Sequence, residues 1–341
     1  MMENRIEWVD IAKGIGIILV IAGHCFYLGY SYPLYAFHMP LFFFLSGLLF
    51  KDKKEGFGDF FKRKTKSLMR PWLIILFISF LVCLAIPQWR NEITLKAVLS
   101  DLYTANTNVF QNSSLWYLVC FYFMLLFFFF VKKIKMSTSF AIVSIILAVG
   151  LLWIKELLDM TNLPFHRFPF KIDSALVALV FFYVAYLLKE KINSFITRKI
   201  NLLLILLIVL VAAALCMLNG WSNINSLDFG RIRLLYFPIA FMGVASVCLV
   251  SSLIITRMKW KPLNSFLAYY GKNSLLIFGF QSLFIRLYIL VFSNLGEVKM
   301  ELYANYPFHH QVGAFLVVTF IISPMIVFLF SYLKKTGIRI L

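Results

Sequence analysis

Apolar stretches of roughly 17–25 residues recur along the whole chain, each long enough to carry a helix across the hydrocarbon of a bilayer. They lie near 11–30, 35–50, 71–87, 115–131, 139–157, 172–188, 200–218, 231–256, 273–292 and 311–333. Apolar residues make up 62% of the 341 and charged ones 14%, where ordinary soluble domains carry about 25% charged residues. A soluble chain of this length leaves too much surface in water to hide so much apolar area. The lipid bilayer is therefore the solvent. The expected fold is an all-α integral membrane protein, a bundle of about ten transmembrane helices. The second run is short and starts just after Pro33, so 31–34 reads as the tight link of a helical hairpin. Pro71 reads as the opening of the third helix, where a missing N–H costs little.

The net charge of +18 would suggest nucleic acid in a soluble protein. Here the positive-inside rule accounts for it, because short cytoplasmic loops collect Lys and Arg. The segments 1–13, 51–70, 132–138, 189–199, 257–272 and 334–341 hold 24 of the 33 Lys and Arg residues. That asymmetry places both termini in the cytoplasm, favours an even helix number, and predicts a multi-pass protein of the plasma (inner) membrane with no nucleic-acid partner. The five cysteines, Cys25, Cys83, Cys120, Cys216 and Cys248, sit inside apolar runs without metal-ligand or disulfide spacing, and they read as packing residues. No metal site is expected. The first apolar run lacks an A-x-A cleavage site and reads as a retained helix. The longest polar stretches, 51–70, 88–114 and 293–310, are too short for a soluble domain, and no internal repeat is visible. Residues 1–341 read as one domain.

Ionisable groups inside a membrane cost several kcal/mol unless paired or hydrated, so each invites a functional question. The first helix carries Asp10, Lys13 and His24 among apolar residues. Eleven helical steps from Lys13 to His24 leave a net rotation of about 20° and a rise of about 16 Å, so the two share one stripe. Asp10 lies one turn before Lys13, within ion-pair reach, and Gly14, Gly16 and Gly23 allow close approach of a neighbour. Acyl transfer to a hydroxyl needs a group that takes a proton near neutral pH or briefly carries the acyl group, and an imidazole does both. His24 has two readings, that one and a structural histidine hydrogen-bonded between helices. His38, in F-H-M-P-L-F-F-F-L-S-G, is expected near His24 across the hairpin, or is simply an interface residue. In the loop 51–70, Lys62, Arg63, Lys64, Lys66 and Arg70 stand at helical spacing before Pro71. They read as an anchor on anionic lipid or as a landing surface for the phosphates of coenzyme A. On the outer side Trp116, His166, Arg167, Asp173, Arg231, Arg233, Arg286, His309 and His310 accumulate. Snorkelling explains any one of them; the group as a whole suits a sugar, which is held by Asp, Arg and aromatic rings.

The run W-V-D-I-A-K-G-I-G-I-I-L-V-I-A-G-H, followed by F-H-M-P-L-F-F-F-L-S-G, resembles the membrane acyltransferase-3 family, and within it the fucose O-acetylase-like branch. That family shows a basic residue, ten residues, then His on its first helix; Lys13 and His24 keep the spacing, with Lys for the commoner Arg. K-R-K-T-K-S-L-M-R-P-W, L-W-Y-L at 115–118, I-D-S-A-L-V-A-L-V-F-F-Y at 172–183 and G-K-N-S-L-L-I-F at 271–278 continue the resemblance over nearly the whole chain. It implies a ten-helix enzyme that O-acetylates cell-envelope polysaccharides or lipid-linked sugars. It has no resident cofactor and takes acetyl-CoA or another acyl-CoA as donor. His24 inherits the catalytic role, with His38 orienting it or sharing its proton. Lys13 and the basic loop inherit the donor side. Asp10, Trp116, Asp173, Arg231, Arg233 and Gln281 form the expected acceptor side. Many relatives carry a His after G-K-N-S-L-x-I-Y, where this chain reads Phe278-Gly279-Phe280-Gln281; Gln281 hydrogen-bonds without carrying a proton, which leaves it a positioning role. The soluble esterase-like domain of some relatives is missing, so a second acyl-handling step would need another protein. A glycan or solute transporter is the rival reading, although such proteins often show internal repeats. A ligand sensor built on the same scaffold is a third.

Overall fold

The computed structural model describes residues 7–26, 28–134, 138–196, 201–294 and 307–336. Among these residues the helices are, in order, α1 Glu7–Cys25, α2 Leu28–Tyr35, α3 His38–Leu48, α4 Phe57–Lys64, α5 Arg70–Ala85, α6 Pro87–Arg90, α7 Leu95–Thr104, α8 Trp116–Val131, α9 Thr138–Gly150, α10 Ile154–Asp159, α11 Ile172–Ile196, α12 Leu202–Asn219, α13 Tyr236–Leu253, α14 Lys261–Lys272, α15 Ser274–Asn294, α16 Phe308–Val317 and α17 Ser323–Lys335. The strands are two residues each, β1 Ser222–Asn223 and β2 Asp228–Phe229, paired antiparallel. Among the described residues eight helical stretches are long and apolar enough to cross a membrane. They coincide with eight of the ten expected runs. The run at 35–50 yields only the eleven-residue α3, about 16 Å long. The run at 139–157 is broken by a 3-10 turn at Leu151–Trp153 between α9 and α10.

The chain divides into two compact units. The first comprises Met1–Phe50, Phe181–Ile224 and Asp228–Ile277. Its centre is the crossing of α1 and α14, where a Cβ on Gly14 would overlap the Leu267 carbonyl and one on Gly271 the Asp10 carbonyl. Backbone therefore lies on backbone. Ile11, Leu267 and Ile254 fill the seam, flanked by Ile15, Ile18, Leu263 and Phe266. Segment 257–272, expected as a loop, is thus largely a packed amphipathic helix that buries Leu267, Tyr270 and Gly271. The apolar run of α3 is buried on nearly every residue, as a helix apolar all round must be. It is held by Gly47 against the Phe182 carbonyl of α11, and by Leu41 and Phe42 over Gly16. In place of the expected tight link at 31–34, the short helix α2 joins α1 to α3 and contains Pro33.

The second unit comprises Lys51–Val180, Asn225–Leu227 and Phe278–Leu341. Here α4 and α5 form one continuous stretch through a π-helical segment, Thr65–Met69. Pro71, at the start of α5, supplies no N–H to that ladder, and widening by one residue is the usual accommodation. Phe57 and Phe60 of α4 pack on Phe129 of α8, and Thr65 Oγ1 meets Tyr122 Oη at 2.8 Å. Segment 88–114 contains α7, capped at its start by Thr94, whose hydroxyl accepts from Ala97 N at 3.2 Å.

Candidate functional site

α1 is unbroken from Glu7 to Cys25, so Lys13 and His24 keep the single stripe and the rise of about 16 Å that the spacing predicts. Asp10 is buried and Lys13 half-buried. His24 stands at the end of α1, since the helix stops at Cys25 where the sequence suggested a run to residue 30. The last carbonyls of a helix have no partner within it. His24 Nδ1 takes the Val20 carbonyl at 2.8 Å, and Tyr35 Oη donates to the Gly23 carbonyl at 2.9 Å. A carbonyl only accepts, so Nδ1 carries the proton and the basic lone pair of the neutral ring lies on Nε2.

Tyr35 also joins the two histidines. Its ring centroid lies 6.1 Å from that of His24 and 5.0 Å from that of His38, and it is a residue the sequence did not single out. His38 is 2% exposed, with Nδ1 on the Leu34 carbonyl at 2.5 Å. On the far side of Tyr35 stands Trp221, 4.9 Å between centroids. Trp221 begins the connection that carries Arg231 and Arg233, and Asn219 ties it down. The Asn219 amide donates to Phe229 O and accepts from Ile232 N, and its carbonyl accepts from Arg231 N at 2.7 Å. Gly230, at φ +82°, has no room for a Cβ beside Asn219. Arg231 lies folded against Gly220, exposed at the surface; Arg233 is half-buried in the turn before α13. The Asn-Gly opening and closing Gly-Arg of this polar connection were the signals in the sequence.

In the second unit the basic positions have different surroundings. Lys62, Lys66 and Arg70 are exposed, while Arg63 and Lys64 are half-buried. Arg63 and Lys64 approach the buried Phe60 ring at 5.4 and 5.6 Å. Arg63 also pairs with Glu55, donating from Nε at 3.1 Å and from the second arm of its fork, which holds the Glu55 carboxyl below its ordinary range.

Asp173 is wholly buried, and its carboxylate grips Arg167 through both arms, at 2.6 and 2.8 Å. Arg167 also donates to Asn225 O at 3.0 Å, so this pair organises the unit from within. Trp116 opens α8 and is buried edge-on to Tyr117. Gln281 is 1% exposed and donates to Ser114 Oγ at 2.6 Å. One turn away Asn112 donates to Ser79 Oγ and to Gly279 O, and Ser113 meets Ser282. The serines and asparagine of this buried polar knot escape sequence reading because each is unremarkable alone. The rings of His309 and His310 lie 4.3 Å apart at a tilt, and His310 also lies beside Phe292. Among the described residues no three His, Cys, Asp or Glu side chains are grouped to hold a metal.

No curated protein and no solved structure is found to match the chain. Residues 6–329 match the acyltransferase-3 family model, described as an acyltransferase domain. That span takes in α1 with Lys13 and His24, the basic stretch before Pro71 and the buried knot around Gln281. With eight apolar helices among its described residues the molecule is a multi-pass membrane protein, and the chain belongs to the acyltransferase-3 family of membrane acyltransferases.

Proposed function

We propose that this acyltransferase is an O-acetyltransferase of the fucose O-acetylase-like branch, moving an acetyl group from acyl-CoA to a hydroxyl of a cell-envelope glycan or lipid-linked sugar. The protein sits in the inner membrane with both termini in the cytoplasm. Acetyl-CoA enters from that side, its phosphates on Lys62, Arg63, Lys64, Lys66 and Arg70, and Lys13 steers the pantetheine arm. Asp10, Trp116, Asp173, Arg231, Arg233 and Gln281 serve the acceptor side, Asp173 and Gln281 by holding its walls. A partner protein supplies any further acyl-handling step.

The observation that carries the reading is His24 at the end of α1, its Nδ1–H bound to Val20 O. Nε2 takes the proton of the acceptor hydroxyl while that oxygen attacks the thioester carbonyl. The C–S bond breaks, and the leaving CoA thiolate receives the proton from the imidazolium. A two-step route, with acetyl carried briefly on Nε2, uses the same geometry. Tyr35 and His38 hold the ring's surroundings in either case.

The test is release of free CoA thiol from acetyl-CoA by purified protein in liposomes, with and without envelope glycan, comparing wild type with His24→Ala. Thiol release that needs the histidine and rises with glycan supports the reading. Silence from a folded sample across several acyl-CoAs, with native envelope extract as acceptor, overturns it in favour of transport or ligand sensing.

A further inference from the structure

The residues between α5 and α8, with Arg286 of α15, line a cavity of about 620 Å³ whose walls include Trp89, Glu92, Asp101, Asn108 and Gln111. That volume falls among small-molecule sites, which run from roughly 300 to 1,000 Å³. The polar groups are held in place. Gln111 donates from Nε2 to Glu92 Oε2 at 2.8 Å. Asp101 is 6% exposed, and its Oδ2 accepts the Val109 N–H at 2.6 Å. The chain between Asp101 and Gln111 runs through Ala105 and Thr107, and these two and Gln111 all have φ between 52° and 55°. Non-glycine residues in that region cost about 1 kcal/mol or more each, and such strain collects where side chains must be aimed.

The chemistry of the lining selects a ligand class. Two carboxyl groups, Glu92 and Asp101, stand with one guanidinium, Arg286. Groups of both signs therefore face the ligand space, which suits neither a phosphate nor an amine. Carboxyl, amide and guanidinium groups offer planar pairs of donors and acceptors, the complement of adjacent hydroxyls. Trp89 is 1% exposed, so it leaves recognition to the polar groups.

We propose that this cavity binds an uncharged glycosyl unit of the acceptor. The proposal rests on the acyltransferase reading and deepens it, because it gives the acceptor a holding site in which Arg286, of the outer group expected from the sequence, is joined by Glu92, Asp101 and Gln111. The cavity and the basic stretch 62–70 lie at opposite ends of α5, whose sixteen residues span about 24 Å. Donor and acceptor thus enter the second unit from opposite ends.

The test uses the full-length chain in lipid nanodiscs and reads binding without turnover, by saturation-transfer NMR. The probes are methyl glucoside, methyl rhamnoside, N-acetylglucosamine and their β-linked disaccharides, with inorganic phosphate and ethanolamine as competitors. At least one neutral glycoside binds wild type, and Glu92→Gln or Arg286→Gln weakens it about tenfold or more, as loss of a charged hydrogen bond does. Asn108→Ala, at an exposed position, weakens it less and guards against misfolding of the other two. Gly150→Ala, remote in open space, leaves binding unchanged. Absence of binding by every glycoside at about 100 mM, far weaker than the millimolar range, overturns the proposal. So does binding that survives both substitutions, or displacement by phosphate or ethanolamine. Loss of His24-dependent thiol release would instead sink the acyltransferase reading, since glycoside binding is measured without it.

Discussion

Gly271→Ala adds one methyl group at the crossing of α1 and α14, where it would overlap the Asp10 carbonyl and crowd Gly14 N. Both neighbours are backbone, so no side chain can rotate away and the helices must separate by about 1 Å or more to restore ordinary contact. A gap of that size forfeits a quarter to a half of the dispersion along the Ile11–Leu267–Ile254 seam. Overpacking of this kind costs about 3 kcal/mol at the upper end, and the gain in helix propensity from Gly to Ala returns about 1 kcal/mol. Steric cost wins, and a net loss of about 2 kcal/mol is expected. α1 also carries His24, and a shift of about 1 Å at a reacting group lowers rates on the order of a hundredfold. The assay is thermal unfolding in detergent together with thiol release, with Gly150→Ala as the control because nothing lies within 4 Å of its new Cβ. A Gly271→Ala protein with the melting temperature and activity of that control would refute the close-crossing argument.

Arg167→Ala leaves Asp173 buried and unpaired, which should cost about 3–5 kcal/mol; Arg167→Lys loses the fork and should also melt early, so a lysine variant as stable as wild type would contradict the bidentate role. Tyr35→Phe removes the donor to Gly23 O and should cost about 1 kcal/mol. It should also slow thiol release severalfold with the KM for acyl-CoA unchanged, whereas a raised KM would place Tyr35 on the donor side instead. Burial raises the Asp101 carboxyl in the folded state, so the folded protein favours the protonated form: stability is greatest below the unfolded value of about 3.9 and falls as pH rises through the higher folded value. Asp101→Asn imitates the protonated form and should melt higher than wild type at pH 7, with the advantage vanishing towards pH 4; a difference independent of pH would show that burial of the charge is not the cause.

How far the sequence reaches is clearest in α1. Its stripe from Lys13 to His24 follows from helical periodicity alone, and the glycines foretell a close neighbour, because local geometry repeats wherever a helix forms. The same holds for most of the apolar runs, since the length of a span is fixed by the thickness of the bilayer. Hydropathy fails where an apolar segment is buried by protein instead of lipid: α3 reads as a span and is an eleven-residue core helix, because both environments reward the same side chains. It fails again at 257–272, where basic residues mark a cytoplasmic loop and the spacing of Leu267, Tyr270 and Gly271 makes a packed helix. The grip of Arg167 on Asp173 rests on positive-φ backbone at Phe165, His166, Phe170 and Lys171, Tyr35 stands between His24 and His38, and the cavity brings Arg286 to Glu92 and Asp101 from far along the chain. Periodicity and composition carry no record of such pairings. They exist only once packing has chosen which helix faces touch, and that choice belongs to the tertiary structure.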